Sequence, residues 1–265
     1  MRRAALWRLA LVRLALVRLA LVRLAIVLLA VAALEALCLT GKIDRLTMQP
    51  PHRILWDLFR LLLSGRLDAA IAKTLGNAAI AFLIAMAVGI AGAIVLQRWR
   101  AARATLDPLF ATYYAIPIFA FYPLLIILFG LGDAPQIFIA AMLGIVAVVV
   151  NTLNGLDRVP RVLLRTARVH RLGTVETALR VILPHAAPYI LSGAKLAVAY
   201  SLIGIIGAEF IMSSGGMGYE ISFAYTNFDN ATMYPLIVLI LVVSAAINAL
   251  LARWERVLAP RRGQR

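Results

Sequence analysis

Few charged side chains fall inside the apolar blocks of this sequence, so those few are the first candidates for chemistry. Glu35, Lys195 and Glu209 each sit among aliphatic and small residues. An ionisable group at membrane depth is costly and marks either a functional site or a specific partner. Lys195 lies about two turns past Pro188, close enough for its amine to reach toward the near interface. Glu209 is near the end of its apolar segment, where it serves either as a functional carboxylate or as a hydrated one. Catalytic alternatives fail for want of groups. His52, His170 and His185 show no HExxH pattern or paired His–carboxylate spacing, and the single Cys38 allows neither a disulfide framework nor a cysteine-based zinc site. No GxxxxGK[ST] loop occurs, and "TGKID" around Lys42 lacks both the upstream glycine and the Ser/Thr. The expectation is a non-enzymatic chain with no metal or cofactor of its own.

The other chemically distinct stretch is "RTARVHRLGTVETALRVILPHAAP", Arg165 to Pro188. Arg161, Arg165 and Arg168 share one face of a short predicted helix. Gly173 is expected to break it, and Thr174 to N-cap a second helix whose first turn holds Glu176. In that second helix Val175, Ala178, Leu179 and Ile182 fall at i, i+3, i+4 and i+7, an apolar stripe. Pro184 and Pro188 are expected to end it and start the next apolar segment. A basic helix-turn-helix with an apolar stripe suits a groove on a protein, or alternatively an anionic lipid surface.

The elements that must position these residues follow from composition. The chain has 265 residues, 63% hydrophobic and 15% charged, with the apolar residues gathered in long blocks. That predicts an all-α polytopic membrane protein, since lipid leaves an open chain no other way to satisfy its backbone. Six segments are long enough to span: Leu19–Leu39, Thr74–Leu96, Leu106–Leu131, Ala134–Leu153, Ala186–Met212 and Met233–Ala252. The net charge of +15 would suggest nucleic acid in a soluble protein. Here its distribution argues for membrane lipid and against nucleic acid. Arg2, Arg3 and Arg8, then Arg98, Arg100 and Arg103, then the Arg158–Arg180 loop, then the tail from Arg253 all fall on one side. The Gly130–Ala134 and Ser213–Thr232 loops carry no Lys or Arg. Both termini and the Arg158–Arg180 loop, between the fourth and fifth spans, are therefore expected in the cytoplasm.

Four regions follow. Residues 1–40 form a basic N-terminus and first span, whose "RLALV" repeat reads as an uncleaved anchor. Residues 41–73 form an extracytoplasmic segment in which Ile54, Leu55, Leu58, Leu61 and Leu62 predict an interfacial amphipathic helix. Residues 74–252 form the core, and 253–265 a basic cytoplasmic tail. Within the core, Ala85, Gly89, Gly92 and Ala93 have the spacing of a close helix contact. Pro117 and Pro123 break the third span beside Tyr113, Tyr114 and Tyr122. Tyr114, Pro117, Pro123 and Glu209 are the candidates for a translocation path or its packing.

The stretch "ARVHRLGTVETALRVILPHAAPYILSGAKLAVAYSLIGIIGAEFIMSSGGMGY" and the upstream "LDPLFATYYAIPIFAFYPLLIILFGLGDAPQIFIAA" resemble the permease subunits of binding-protein-dependent ABC importers of the nitrate/sulfonate/taurine group. The resemblance covers most of Leu55 to Leu258. It implies that the loop ending in "VILP" is an EAA loop that couples to the ATPase, with Pro184 as its closing residue. Counted back from Pro184, the Glu-Ala-Ala positions fall on Arg165, Thr166 and Ala167, and the motif glycine on Arg171; Gly173 comes two residues later. It also implies a separate ABC ATPase that binds ATP and Mg, an extracytoplasmic solute-binding protein and a place in the inner plasma membrane. Six spans with no internal repeat are too few for a path in one chain, so a permease homodimer is expected. The solute would be a nitrate-, sulfonate- or taurine-like molecule or a pyrimidine precursor. The competing reading is a self-contained channel or secondary transporter, which needs midplane ion ligands and usually repeated halves, and neither is evident.

The orientation has a direct test. With Cys38 replaced, a cysteine at Ser214 should react with an impermeant thiol reagent on intact cells, whereas one at Thr174 should react only after the membrane is opened. The reverse pattern would invert the topology.

Overall fold

The computed structural model describes residues 2–44 and 47–258. Met1, Arg45, Leu46 and the end of the predicted basic tail, 259–265, lie outside the described residues. Among the described residues every regular element is helical: α1 Arg2–Leu39, α2 Pro51–Leu63, α3 Asp68–Arg98, α4 Arg100–Thr112, α5 Tyr122–Phe129, α6 Asp133–Asp157, α7 Arg161–Val169, α8 Thr174–Thr177, α9 Leu183–Met212, α10 Met217–Thr226 and α11 Asn230–Leu258. Among the described residues five helical segments are long and apolar enough to cross a membrane, and a bent pair would make a sixth.

That bent pair falls at the break expected at Pro117 within the third span, Leu106–Leu131. Arg100–Ala115 and Ile118–Phe129 meet at 90°. Ile116 is extended and Pro117 follows with φ −74°, ψ 80°, so the helical ladder stops there. Pro117 removes a donor and excludes the helical conformation for the residue before it. Pro123 does not break anything. It lies in the first turn of α5, where the missing N–H would be unpaired in any case.

The core is a three-helix stack of α3, α6 and α9, held by small residues. Ala85, Val148 and Ala197 form one buried layer, and Ala78, Ala81, Ala140, Leu202 and Ile205 another. Ala85, Gly89 and Ala93 of the predicted small-residue stripe belong to this seam. Gly92 does not: a Cβ added there would meet only Val149 at 3.7 Å. One seam of α3 thus faces its neighbours, and Ile84, Val88 and Val95 are exposed toward lipid.

α2 is the amphipathic helix expected between the first two spans. Its stripe divides in two: Ile54 is buried and Leu58 and Leu61 pack toward α10 and α11, whereas Leu55 and Leu62 stay exposed beside Trp56 and Phe59. Glu35, the intramembrane carboxylate of α1, pairs with the ring and backbone N–H of His52 in α2. The described side chains of α1 from Leu21 to Leu29 are all exposed.

The closest approach in the stack has a measurable consequence. A methyl at Gly204 would stand 2.6 Å from Ala140 Cα, backbone against backbone, with no flexible group to yield. Gly204→Ala should lower stability by about 1–3 kcal/mol, seen as a lower melting temperature of the detergent-purified chain. Gly92→Ala should leave it unchanged.

Candidate functional site

The basic loop between the fourth and fifth predicted spans starts at Arg158 and folds back on α9. The Arg158 guanidinium donates to the Tyr189 hydroxyl at 2.9 Å and lies 5.2 Å from the centre of that ring. Helix α7 follows and buries Ala167, leaving Val162, Arg165, Arg168 and Val169 exposed. Its end is not set by Gly173 as the sequence suggested. Arg171 adopts φ 53°, the left-handed conformation. The Leu172 N–H returns to the Ala167 carbonyl and the Arg171 N–H to the Arg168 carbonyl, both at 3.0 Å. This pair of bonds is a Schellman cap, which satisfies carbonyls left open at a helix end. Gly173 is extended (φ −64°, ψ 166°) and occupies the N-cap position itself. Thr174 is therefore the first helical residue and makes no side-chain cap.

From Thr174 the chain runs as one helix to Ile211. Pro184 and Pro188 do not separate a loop helix from the next span, contrary to the sequence reading. A wider π turn at Ala178–Ile182 precedes them, loosening the ladder where Pro184 lacks a donor. The apolar stripe also splits. Val175 and Leu179 point outward, while Ala178 and Ile182 are half-buried against the rest of the loop. Arg180 pairs with Glu176 at 2.9 Å on the exposed side.

Beside the loop, α3, α4 and α6 are clamped together. Arg103 contacts both carboxylate oxygens of Asp157 at 2.5 and 2.9 Å, and Gln97 joins both partners at 3.1 and 2.9 Å. A bidentate guanidinium–carboxylate pair fixes geometry as well as charge. Next to it lies a cavity of about 300 Å³, lined by Arg103, Asp107, Phe110, Val150, Leu153 and Asn154. The sequence reading missed this clamp, because its members are about 50 residues apart and each looks like an ordinary loop charge.

At the elbow, Tyr114 stacks on Tyr200 with ring centres 4.9 Å apart, and Tyr113 packs edge-on against Tyr114 at 5.6 Å. The Tyr113 hydroxyl donates to the Met142 carbonyl at 3.0 Å. Tyr114 keeps about half its surface exposed, whereas Tyr122 is buried.

At the opposite end of the stack lies Glu209. It is not the hydrated carboxylate its position allowed: only 1% of it is exposed. Thr74 donates to its two oxygens at 2.8 and 2.9 Å, and the Gly218 N–H to one of them at 3.0 Å. Nearby Lys73 pairs with Asp133 at 3.0 Å, and Gln136 donates to Ser213 at 3.1 Å. Among the described residues no group of histidine, cysteine or carboxylate side chains could hold a metal.

This pattern of a helical stack, an elbowed third segment and a basic loop continuous with a long helix has a counterpart in known proteins. Residues 85–264 match the family described as "Binding-protein-dependent transport system inner membrane component". The chain belongs to this family of ABC permeases. A nitrate import permease of Leptolyngbya laminosa is 30% identical over 180 residues, covering 68% of this chain and 64% of that one. A bicarbonate transport system permease of Synechococcus elongatus is 29% identical over 221 residues, covering 82% and 77%. The fold also resembles a chain of the MetNI methionine ABC transporter in an inward-facing conformation, with TM-score 0.61, 18% identity, and 74% of this chain and 98% of that chain covered.

The permease is thus an inner-membrane component that works with a binding protein and an ATPase subunit, and ATP hydrolysis and its cofactors belong to the latter. The alternative of a self-contained channel or secondary transporter falls with family membership. Of the residues singled out in the sequence, Arg165, Arg168, Arg171, Val175 and Leu179 are each exposed. Gly173, Thr174, Ala178, Ile182 and Pro184 shape the helix that carries the last two.

Arg171 stands where the family resemblance places a glycine, and its backbone keeps the glycine-like conformation. A non-glycine residue in that conformation costs about 1–2 kcal/mol. Arg171→Gly should slow amide exchange at Leu172, whose N–H closes the cap, and Arg171→Val should accelerate it. Equal exchange in the three proteins would show that the turn is not under this strain.

Proposed function

We propose that the permease forms the translocation path of an importer for a small anionic solute, with its basic loop seated in a groove of the ATPase. One observation carries the reading. Val169 is 79% exposed, Val175 72% and Leu179 59%, all on one short loop that also exposes Arg165 and Arg168. A grouped apolar patch with a polar rim marks a contact surface. Arg165 and Arg168 flank it and would add salt-dependent docking of at most about 1 kcal/mol each. The charge distribution supports placing this end and both termini in the cytoplasm. The other end, with the Ser213–Thr232 segment, then faces the binding protein.

The helices α3, α6 and α9 pack closely through small residues, and the described α1 side chains from Leu21 to Leu29 are exposed. Both support a homodimer with the path between two copies. Tyr114, half-exposed at the elbow, is the residue we place nearest that path, and Pro117 sets its angle. Pro123 belongs to packing, and Glu209 to the joint of α9 with α3 and α10. The relatives named for nitrate and bicarbonate support a small anion. Aliphatic sulfonates belong to that class and taurine shares their sulfonate group, whereas the pyrimidine-precursor reading has less behind it.

Burying a leucine side chain contributes ~1.5–3 kcal/mol, and a carboxylate in its place reverses the sign. Leu179→Asp should therefore prevent co-purification of the ATPase with the permease while membrane insertion proceeds normally. Thr174→Asp should leave the ATPase bound, since its carboxylate sits favourably at a helix N-terminus. Retention of the ATPase by both variants would refute docking through this face and favour a lipid-surface role for the loop.

A further inference from the structure

Among the described residues, Glu209 is the one fully buried charged side chain. Its partners are the first two amides of α10, directly or through one hydroxyl. The Gly218 N–H donates to Glu209, while the Met217 N–H donates at 2.8 Å to the Thr74 hydroxyl, which in turn donates to Glu209. The opening amides of a helix have no partner within it, and a carboxylate there also meets the positive end of the helix dipole. Glu209 of α9 and Thr74 of α3 therefore act together as the cap of α10.

The joint is close as well as polar. A Cβ at Gly218 would collide with the Ile206 carbonyl, so α10 starts in backbone contact with α9. Gly216, at φ 105°, gives the chain the left-handed turn that brings Met217 back onto Thr74. Met217 and Ile221 then seal the other side of α10 against Leu236 and Leu239 of α11.

The same helix that ends at this joint begins in the basic loop. Thr174–Ile211 is a single run of 38 residues, roughly 57 Å at 1.5 Å per residue, with Leu179 near one end and Glu209 near the other. A helix this long transmits a displacement only as far as its first soft joint. The π turn lies at the loop end, and from Leu183 the run is α-helical to Met212; there a four-residue link, Ser213–Gly216, would be the next soft joint if nothing bypassed it.

We propose that Glu209 and Thr74 are positioning residues for transport: they latch α10 to α9, so that movement of the basic loop is delivered to the opposite face of the membrane. The inference rests on the proposed seating of that loop on the ATPase. Without the latch, α9 could move while α10 and the Ser213–Gly216 link stayed behind. With it, the helix and the surface beside it move as one body.

The test uses the permease–ATPase complex in lipid nanodiscs. Cys38→Ser removes the native thiol, and an environment-sensitive fluorophore is placed at Tyr225→Cys, an exposed position on α10. A non-hydrolysable ATP analogue with magnesium should shift the emission in the otherwise unaltered complex. Thr74→Val keeps the side-chain shape but removes the hydroxyl, and should abolish most of that shift while analogue binding and ATPase co-purification persist. Thr74→Ser should restore it. If Thr74→Val does not assemble, Glu209→Gln decides, with a reduced shift expected because only one carbonyl oxygen remains to accept. A full shift in Thr74→Val or in Glu209→Gln, even at lower thermal stability, would mean the network is only structural and would overturn the proposal. No shift in the unaltered complex would overturn it too, while leaving docking through Leu179 to stand or fall on co-purification.

Discussion

The whole architecture depends on how closely α6 can approach its neighbours. Lipid tails are as apolar as leucine, so helices in a bilayer gain little by exchanging lipid for one another. They gain through dispersion, which falls steeply with separation and rewards backbones that nearly touch. Gly204 against Ala140 and Gly89 against Val148 supply such contacts on the two sides of α6. Because α3, α6 and α9 meet along their lengths, the residues at both ends of the stack are held at fixed distances from each other.

Each end of that stack carries charges that would be expensive alone. At one end Asp157 is shared by Arg103 and Gln97, tying the last turns of α3 and α6 to the start of α4. At the other, Lys73 and Asp133 join the first turns of α3 and α6, and Glu209 takes Thr74 and α10. The Arg103–Asp157 and Lys73–Asp133 pairs stay partly exposed, and ion pairs of that kind add little stability. These ties therefore set register more than they add stability. A small-residue seam tolerates sliding by a turn, whereas a bidentate ion pair does not.

Where the chain departs from straight helices, the departure occurs at a place with a use. The elbow at Ile116–Pro117 lets Tyr113 and Tyr114 stand across α6 and α9 instead of facing lipid. The π turn at Ala178–Ile182 admits Pro184 without ending the helix. The left-handed Arg171 reverses the chain and sets α7 beside the segment that holds Val175 and Leu179. Irregular backbone at these points keeps its polar groups paired: Ile116 N–H reaches the Tyr113 carbonyl and Ala120 N–H the Pro117 carbonyl, at 3.1 and 2.8 Å.

Hydrophobic runs, helical periodicity and the placement of arginine by themselves determined the all-helical membrane class, the approximate spans, the amphipathic α2 and the basic loop as the surface of interest. These depend on local composition and on the cost of exposing polar backbone to lipid, which any window of the sequence reports. The sequence also placed a break at Pro117, because proline's effect on its own helix is local. What it could not determine were quantities set by residues far apart in the chain. Glu209 reads alike whether it is hydrated or sealed, until Thr74 and Gly218, one of them 135 positions away, are brought against it. Arg103 and Asp157 look like separate loop charges until α4 and α6 are placed together. Gly173 looked like the helix breaker because glycine favours such turns, but the cap bonds to Ala167 and Arg168 chose Arg171. Tertiary structure decided these points because a buried polar group is governed by its partners, and its partners come from other helices.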